Sequence, residues 1–279
     1  MDEEDAMSVA LVLGAGGSAA LGWETGVLAG LADEGVLLPD GLRVVGTSAG
    51  SLLAGRRSRP ADGDLESGLA DVAALRPPSI DFAEVAAGWA RSAAGASSAQ
   101  DARRRIGDAA KAATTMDPAE RREEIAVLAG RQDWPPGEVL VTAVSADTGR
   151  FVTFDRDCGV EWLDAVGASC AVPSVWPTVV IDGEHFMDGS VLSPTNLPAA
   201  APCTRAVVLA PLLPELGGGI AREIERLGEG SAVEVVAADA GSQAAFGPNP
   251  LDPRVTLAAA QQGRRQGRGA AARVRALLA

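Results

Sequence analysis

Residues 8–13, SVALVL, form a short apolar run that stops at GAGG, the pattern of a buried strand entering a glycine-rich turn. Over residues 21–34, Leu21, Val27, Leu28 and Leu31 recur at spacings that fit a helix face, and Gly35 follows as a C-terminal stop. LRVVG at 42–46 predicts a second strand, and TSAGSLLAG after it predicts a turn into a second helix. Strand, turn and helix in alternation are the rhythm of a parallel α/β sheet. From about 58 to 132 the texture changes to Ala, Arg and acidic residues with few β-branched ones, which predicts two to four helices inserted as a cap over one end of the sheet. One of their starts is marked by Asp117 as cap, Pro118 at the first helical position and Glu120 completing a capping box, with Gly130 near the exit. Strands return with EVLVTAVSA and RFVTF around a DTG turn, and TVVIDGEHFMDG predicts a hairpin turning at Asp182 and Gly183. TRAVVLAP and SAVEVVAAD supply two more buried strands, with a helix at about 219–227 between them and an Ala- and Arg-rich helix after Pro253. No repeat or linker interrupts the pattern, so residues 1–279 are expected to form a single domain.

Composition narrows the class. Of 279 residues, 47% are hydrophobic and 22% charged, enough for a substantial core and too apolar for a disordered chain. No apolar run approaches the roughly 18 residues of a membrane-spanning helix. The opening MDEEDAMS is acidic where a secretory signal would be basic, so residence in the cytoplasm is expected. A net charge of −13 argues against a nucleic-acid partner, which Lys and Arg must neutralise. Basic residues do cluster at Arg56, Arg57 and Arg59, at 103–105 and near the C-terminus, and are expected to lie on solvated helix faces. Cys158, Cys170 and Cys203 are odd in number and lack CxxC spacing, which predicts neither a disulfide framework nor a zinc site. No metal or cofactor is expected.

Chemistry enters at two glycine-rich turns. Gly46-Thr47-Ser48-Ala49-Gly50 has the GxSxG pattern where a strand turns into a helix, the setting of a nucleophile elbow that exposes a serine at the C-terminal end of a sheet. Gly46 and Gly50 allow close packing on either side of Ser48. Gly14-Ala15-Gly16-Gly17-Ser18 follows the first strand, and its small residues are able to turn several N–H groups toward one point, as an anion nest or oxyanion hole. A rival reading takes Gly14, Gly16 and Ala19 as a GxGxx[GA] dinucleotide fingerprint. That fingerprint expects an acid at the end of the next strand, where LRVVG instead enters GTSAG, and no GK[ST] follows. A serine nucleophile needs a base. The one histidine, His185, stands three residues before Asp188 on a predicted strand, so the two face opposite sides and cannot both address Ser48.

These residues bring a resemblance into view. LVLGAGGSAALGWETGVL, VVGTSAGSL and FMDGSVLSPTN, in that order and with ASCAVPSVWPTVVIDG between the last two, resemble the patatin-like phospholipases, over about residues 8–200. The resemblance implies a three-layer α/β/α sandwich with a mostly parallel central sheet, and lipid acyl hydrolysis by a Ser–Asp dyad without histidine. It implies Ser48 as nucleophile, Asp188 as general base, and the N–H groups of Gly16, Gly17 and Ser18 as the oxyanion hole. The chain departs from the family at Ala19 and Ala20, where the oxyanion loop usually carries a basic residue and a glycine; this bears on loop positioning and on contact with a substrate phosphate. Ser190 replaces the usual Gly or Ala after Asp-Gly.

The expected activity is serine acyl hydrolysis of lipid-like carboxylic esters, of the phospholipase A or lysophospholipase type. The expected partners are a lipid or fatty-acyl ester substrate and transient contact with membranes or micelles. Two alternatives stand beside it: an esterase, thioesterase or acyltransferase on small soluble acyl donors, and a non-catalytic lipid-binding regulator. Phe82, Val85 and Trp89, at helical spacing in the cap, are candidates either to line an acyl pocket or to pack in the core.

Overall fold

The first strand, β1 (Val9–Leu13), is buried along its whole length, as befits a central parallel strand covered on both faces. The computed structural model describes residues 9–39, 41–56, 65–213 and 219–279. The acidic opening segment, Arg57, Arg59 and the start of the cap insertion at 58–64 lie outside them. After β1 come α1 (Gly17–Asp33), β2 (Arg43–Thr47) and α2 (Ala49–Arg56), and then four cap helices. These are α3 (Leu65–Ala73), α4 (Phe82–Ala93), α5 (Ala99–Ala112) and α6 (Pro118–Ala129). The rest of the sheet is β3 (Val139–Ser145), β4 (Phe151–Phe154), β5 (Val179–Ile181), β6 (Glu184–Asp188), β7 (Arg205–Ala210) and β8 (Ala232–Ala237). Helices α7 (Trp162–Ser169), α8 (Gly219–Leu227), α9 (Ala240–Phe246) and α10 (Thr256–Leu278) complete the fold.

Among the described residues eight strands form one sheet in the order β5-β6-β3-β2-β1-β7-β8, with β4 also on β3. β3-β2-β1-β7-β8 is parallel, and β4, β5 and β6 run antiparallel to their neighbours. Strand alternation sends Leu11 and Leu13 to one face and Ala10 and Val12 to the other. The first face carries α1, α2, α7 and α10; the second carries α8 and the Leu197–Ala200 turn. Farther along that second face, Ile106 of α5 meets Val144 and Met187. The architecture is the three-layer α/β/α sandwich.

Local expectations map onto these elements with small shifts. The turn between β5 and β6 has Asp182 at φ 51° and Gly183 at φ 82°, the two left-handed residues of a tight hairpin. Asp117 Oδ1 accepts from Ala119 N and Glu120 N at the start of α6, which ends at Gly130 in the left-handed region. α1 begins four residues earlier than the apolar spacing predicts, so Gly17 and Ser18 form its first turn. Arg56 is a correction: it is buried, not solvated. Its guanidinium donates to Leu128 O, Gly68 O and Val127 O and pairs with Asp71, fastening the cap to α2.

One packing relation has no local signal. α1 and α10 lie backbone to backbone. A Cβ on Gly22, Gly26 or Gly30 would stand 2.1, 2.0 and 2.1 Å from the carbonyl oxygens of Thr256, Ala260 and Arg264. From the other side, Gly263 and Gly267 leave the same room for the carbonyls of Trp23 and Val27. Asp33 closes the pair with Arg264 and Arg268, which hold its carboxyl well below the usual range.

Candidate active site

The chain leaves β2 and reverses direction at Ser48, which has φ 53° although it is not glycine. Such a conformation costs energy and persists only where its surroundings enforce it. Here they do. Ser48 N donates to Ser169 Oγ at 2.8 Å, and Ser51 Oγ donates to Ser48 O at 2.6 Å. Gly46 and Gly50 are required by space: a Cβ on Gly50 would lie 2.1 Å from Leu13 O, and one on Gly46 would lie 2.6 Å from Ser51 Cα. The serine stands at the N-terminus of α2, 6% exposed.

Asp188 arrives from the opposite direction. Along β3, Thr142 pairs with Thr47 of β2, and the next residue, Ala143, pairs with Asp188 of β6. β4 occupies the other edge, pairing with Val141 and Ala143 alike, so β2 and β6 meet end to end on a single edge of β3. Ser48 and Asp188 therefore leave two strand ends that face each other. Asp188 is 0% exposed; Oδ1 accepts from Ser190 N at 2.8 Å, and Oδ2 accepts no hydrogen bond of ordinary geometry. Burial raises its carboxyl to about 6, against the lowering pull of the Ser190 N–H, the Ser48 hydroxyl and the Arg121 charge.

The glycine turn after β1 lies beside this pair. Among the described residues the N–H groups of Gly16, Gly17 and Ser18 donate to no protein acceptor, whereas Ala15 N donates to Pro194 O and Ala19 N to Pro250 O. Gly17 has φ 65°, and a Cβ there would lie 2.4 Å from Leu251 Cδ2, so the 247–253 segment holds the turn in place. Glu24, fully buried in α1, accepts Gly14 N at 2.6 Å, while Gly14 O accepts Gly50 N at 3.0 Å. Burial raises the Glu24 carboxyl well above its ordinary value.

With this geometry in view, the chain matches the model of the patatin-like phospholipase family over residues 11–201. It belongs to that family. No curated protein matches it.

Other residues at this patatin-like site were not singled out by motif reading. Asn196, at φ 49°, places Nδ2 within 2.8–3.3 Å of Ser193 O, Thr47 Oγ1, Gly189 O and Thr142 Oγ1. Its two amide hydrogens thus bind the end of β2, the middle of β3 and the loop after Asp188 into one buried network. Ser169 and Ala171, at the end of α7, take Ser48 N and Asp188 N. Ala49, first in α2, has an N–H without an acceptor among the described residues and lines the pocket. Cys170 lies beside Ser51, with its thiol pushed up to about 12 by burial and by Asp188, so it stays protonated.

His185 is elsewhere. Its Nδ1 shares a hydrogen bond with Thr178 Oγ1, and its backbone N–H donates to Asp147 Oδ2. Phe82, Val85 and Trp89 do not border the cavity at Ser48. Trp89 packs toward Ile106, Val144 and Met187 and donates Nε1 to Pro173 O.

The cap side chains that do reach the site come from α6 and the α3–α4 loop. A cavity of about 50 Å³ is bounded by Ser48, Leu52, Leu128, Arg121 and Arg76. A second, of about 280 Å³, lies between α6, α7 and β5, lined by Ile125, Leu163, Ala171 and Val179. Arg121 and Trp176 border both. Among the described residues no helix is long and apolar enough to cross a membrane, and no cluster of His, Cys, Asp and Glu has the makings of a metal site.

Proposed function

We propose that this protein is a serine acyl hydrolase of lipid-like carboxylic esters, with Ser48 as nucleophile and Asp188 as its general base. The observation that carries the reading is the meeting of β2 and β6 on one edge of β3, which sets a strained serine against a buried carboxylate with an unclaimed oxygen. Ser48 Oγ attacks the ester carbonyl carbon while its proton passes to Asp188. The N–H groups of Gly16, Gly17 and Ser18, at the N-terminus of α1, stabilise the oxyanion. Collapse of the intermediate expels the alcohol, which takes the proton from Asp188. Water then attacks the acyl-enzyme, giving its proton to the same carboxylate, and Ser48 is released with the free acid. A carboxyl raised to about 6 is a better proton acceptor at neutral pH than an ordinary aspartate and is still ionised there.

The test is fluorophosphonate labelling with the modified peptide mapped by mass spectrometry, alongside ester turnover. Stoichiometric label on Ser48, and loss of label and turnover in Ser48→Ala, are expected. A folded protein that takes no label and turns over no ester would point instead to a lipid-binding module or a closed cap.

A further inference from the structure

A buried stripe of α1 runs through Ala20, Glu24, Val27 and Leu31, at i, i+4, i+7 and i+11, each 0–1% exposed. A carboxyl in such a stripe breaks the apolar pattern that packs a helix. Glu24 has no basic partner among the described residues. Its one hydrogen bond comes from Gly14 N, at 2.6 Å to Oε1, and Oε2 has no partner. An apolar side chain would pack here at less cost, since even an uncharged acid buries polar atoms and a charged one costs far more. Burial accordingly holds the group toward its protonated form.

What Glu24 holds is the pivot of the site. Gly14 follows β1 and uses both of its backbone groups, donating its N–H to Glu24 of α1 and accepting Gly50 N of α2 at 3.0 Å. The end of β7 crowds it, because a Cβ there would lie 2.9 Å from both Leu209 O and Pro211 Cδ. Just beyond stand Gly16, Gly17 and Ser18, whose N–H groups donate to no acceptor among the described residues. The helix carrying those donors and the helix that starts after Ser48 thus meet at Gly14, and Glu24 is the anchor on the first of them.

We propose that Glu24 is a positioning residue for the oxyanion turn: its Oε1 fixes Gly14, and Gly14 fixes the N–H groups of Gly16, Gly17 and Ser18 against Ser48. The proposal rests on the acyl-hydrolase reading of Ser48 and Asp188. Glu24 does not border the cavity at Ser48 and acts only through the backbone. Its contribution is reach and acceptance, not charge. A carboxylate at this place would oppose the negative charge that develops on the oxyanion, whereas the neutral acid accepts Gly14 N without that penalty. An oxyanion hole works because its donors are in place before the charge arrives. Slack in the turn therefore slows the chemical step and leaves binding of the ground-state ester alone.

The experiment compares Glu24→Gln, Glu24→Met and Glu24→Asp in ester turnover and in inhibition by an alkyl trifluoromethyl ketone. Ser48 Oγ adds to the ketone carbonyl carbon, its proton passes to Asp188, and the carbonyl oxygen becomes an oxyanion facing the turn. Affinity for the ketone therefore reports the hole directly. Glu24→Gln keeps the acceptor without the acid and should stay close to wild type. Glu24→Met continues the apolar stripe without an acceptor, and Glu24→Asp keeps the acid but shortens its reach to Gly14 N. Both should lose roughly tenfold or more in kcat, with KM little changed, and lose affinity for the ketone in parallel. Amide hydrogen exchange at residues 14–18 should quicken in the same two variants, a readout that needs no active serine. Wild-type kcat in Glu24→Met or Glu24→Asp, a Glu24→Gln protein as impaired as they are, or a loss carried by KM overturns the proposal. If Glu24→Met does not fold, Glu24→Asp against Glu24→Gln decides alone. Failure of the hydrolase reading shows separately, as absence of fluorophosphonate label on Ser48 in the unaltered protein, and hydrogen exchange still tests the anchor.

Discussion

Thr47 and Asp188 succeed one another along a single edge of β3, Thr47 opposite Thr142 and Asp188 opposite Ala143. A parallel strand thus ends where an antiparallel strand ends, and the residues that follow are thrown together without any loop having to fold over the sheet. Such a site stands on strand registers, which are held far more firmly than loop conformations.

That placement buries Asp188, and burial has a cost that depends on pH. The folded carboxyl, at about 6, lies above an unfolded value of about 3.9, so the folded state holds its proton more tightly. Stability from this group is complete below pH ~4 and is lost as pH rises through about 6. A shift of about two units corresponds to roughly 3 kcal/mol. Asp188→Asn should therefore abolish turnover yet raise the thermal midpoint at pH 8, with little gain at pH 4. Wild-type activity should rise along an acid limb near pH 6. A difference in stability that does not vary with pH contradicts the buried-carboxylate account.

His185 engages Thr178 and Asp147, away from the dyad. His185→Gln should keep kcat/KM near the wild-type value and change stability by about 1 kcal/mol or less. Loss of activity in this variant, with Asp188→Asn still active, would show a histidine base instead.

Asn196 acts on the geometry and does not reach the ester. Asn196→Ala leaves Thr47, Thr142 and Gly189 O short of a donor in a buried network, at a cost of about 1–3 kcal/mol. The expected kinetic signature is a lower kcat with KM little changed, since the register of Ser48 against Asp188 loosens while the pocket stays. An effect on stability alone would reduce Asn196 to a core residue.

The glycine contact between α1 and α10 should be intolerant of one methyl group. In Gly26→Ala the new Cβ meets Ala260 O at 2.0 Å, and the helices must part, for about 1–3 kcal/mol by chemical denaturation. Because α1 carries the glycine turn on its N-terminus, fluorophosphonate labelling of the folded fraction should also slow.

Much of this was legible in the chain because its signals are local. β1 stopping at GAGG, the elbow at Ser48 and the Asp182–Gly183 turn each depend on a few neighbouring residues whose allowed backbone angles or bulk decide the outcome. The Ser48 elbow was readable for the same reason: only glycine at 46 and 50 lets Leu13 O and Ser51 Cα come so close. The sequence also set the strand-and-helix alternation, and with it the layered class of the fold. What it left open was everything resting on distance along the chain. Arg56 read as a surface charge until the cap folded onto it, and the Phe82, Val85 and Trp89 stripe had an apolar face but no address. The pairing of α1 with α10 joins segments more than two hundred residues apart. Arg121 became a pocket residue only when α6 packed against α2 and α7 and its guanidinium came to lie over Trp176. Hydrophobic period tells a helix which side to bury; only the packing of the whole chain determines what that side meets.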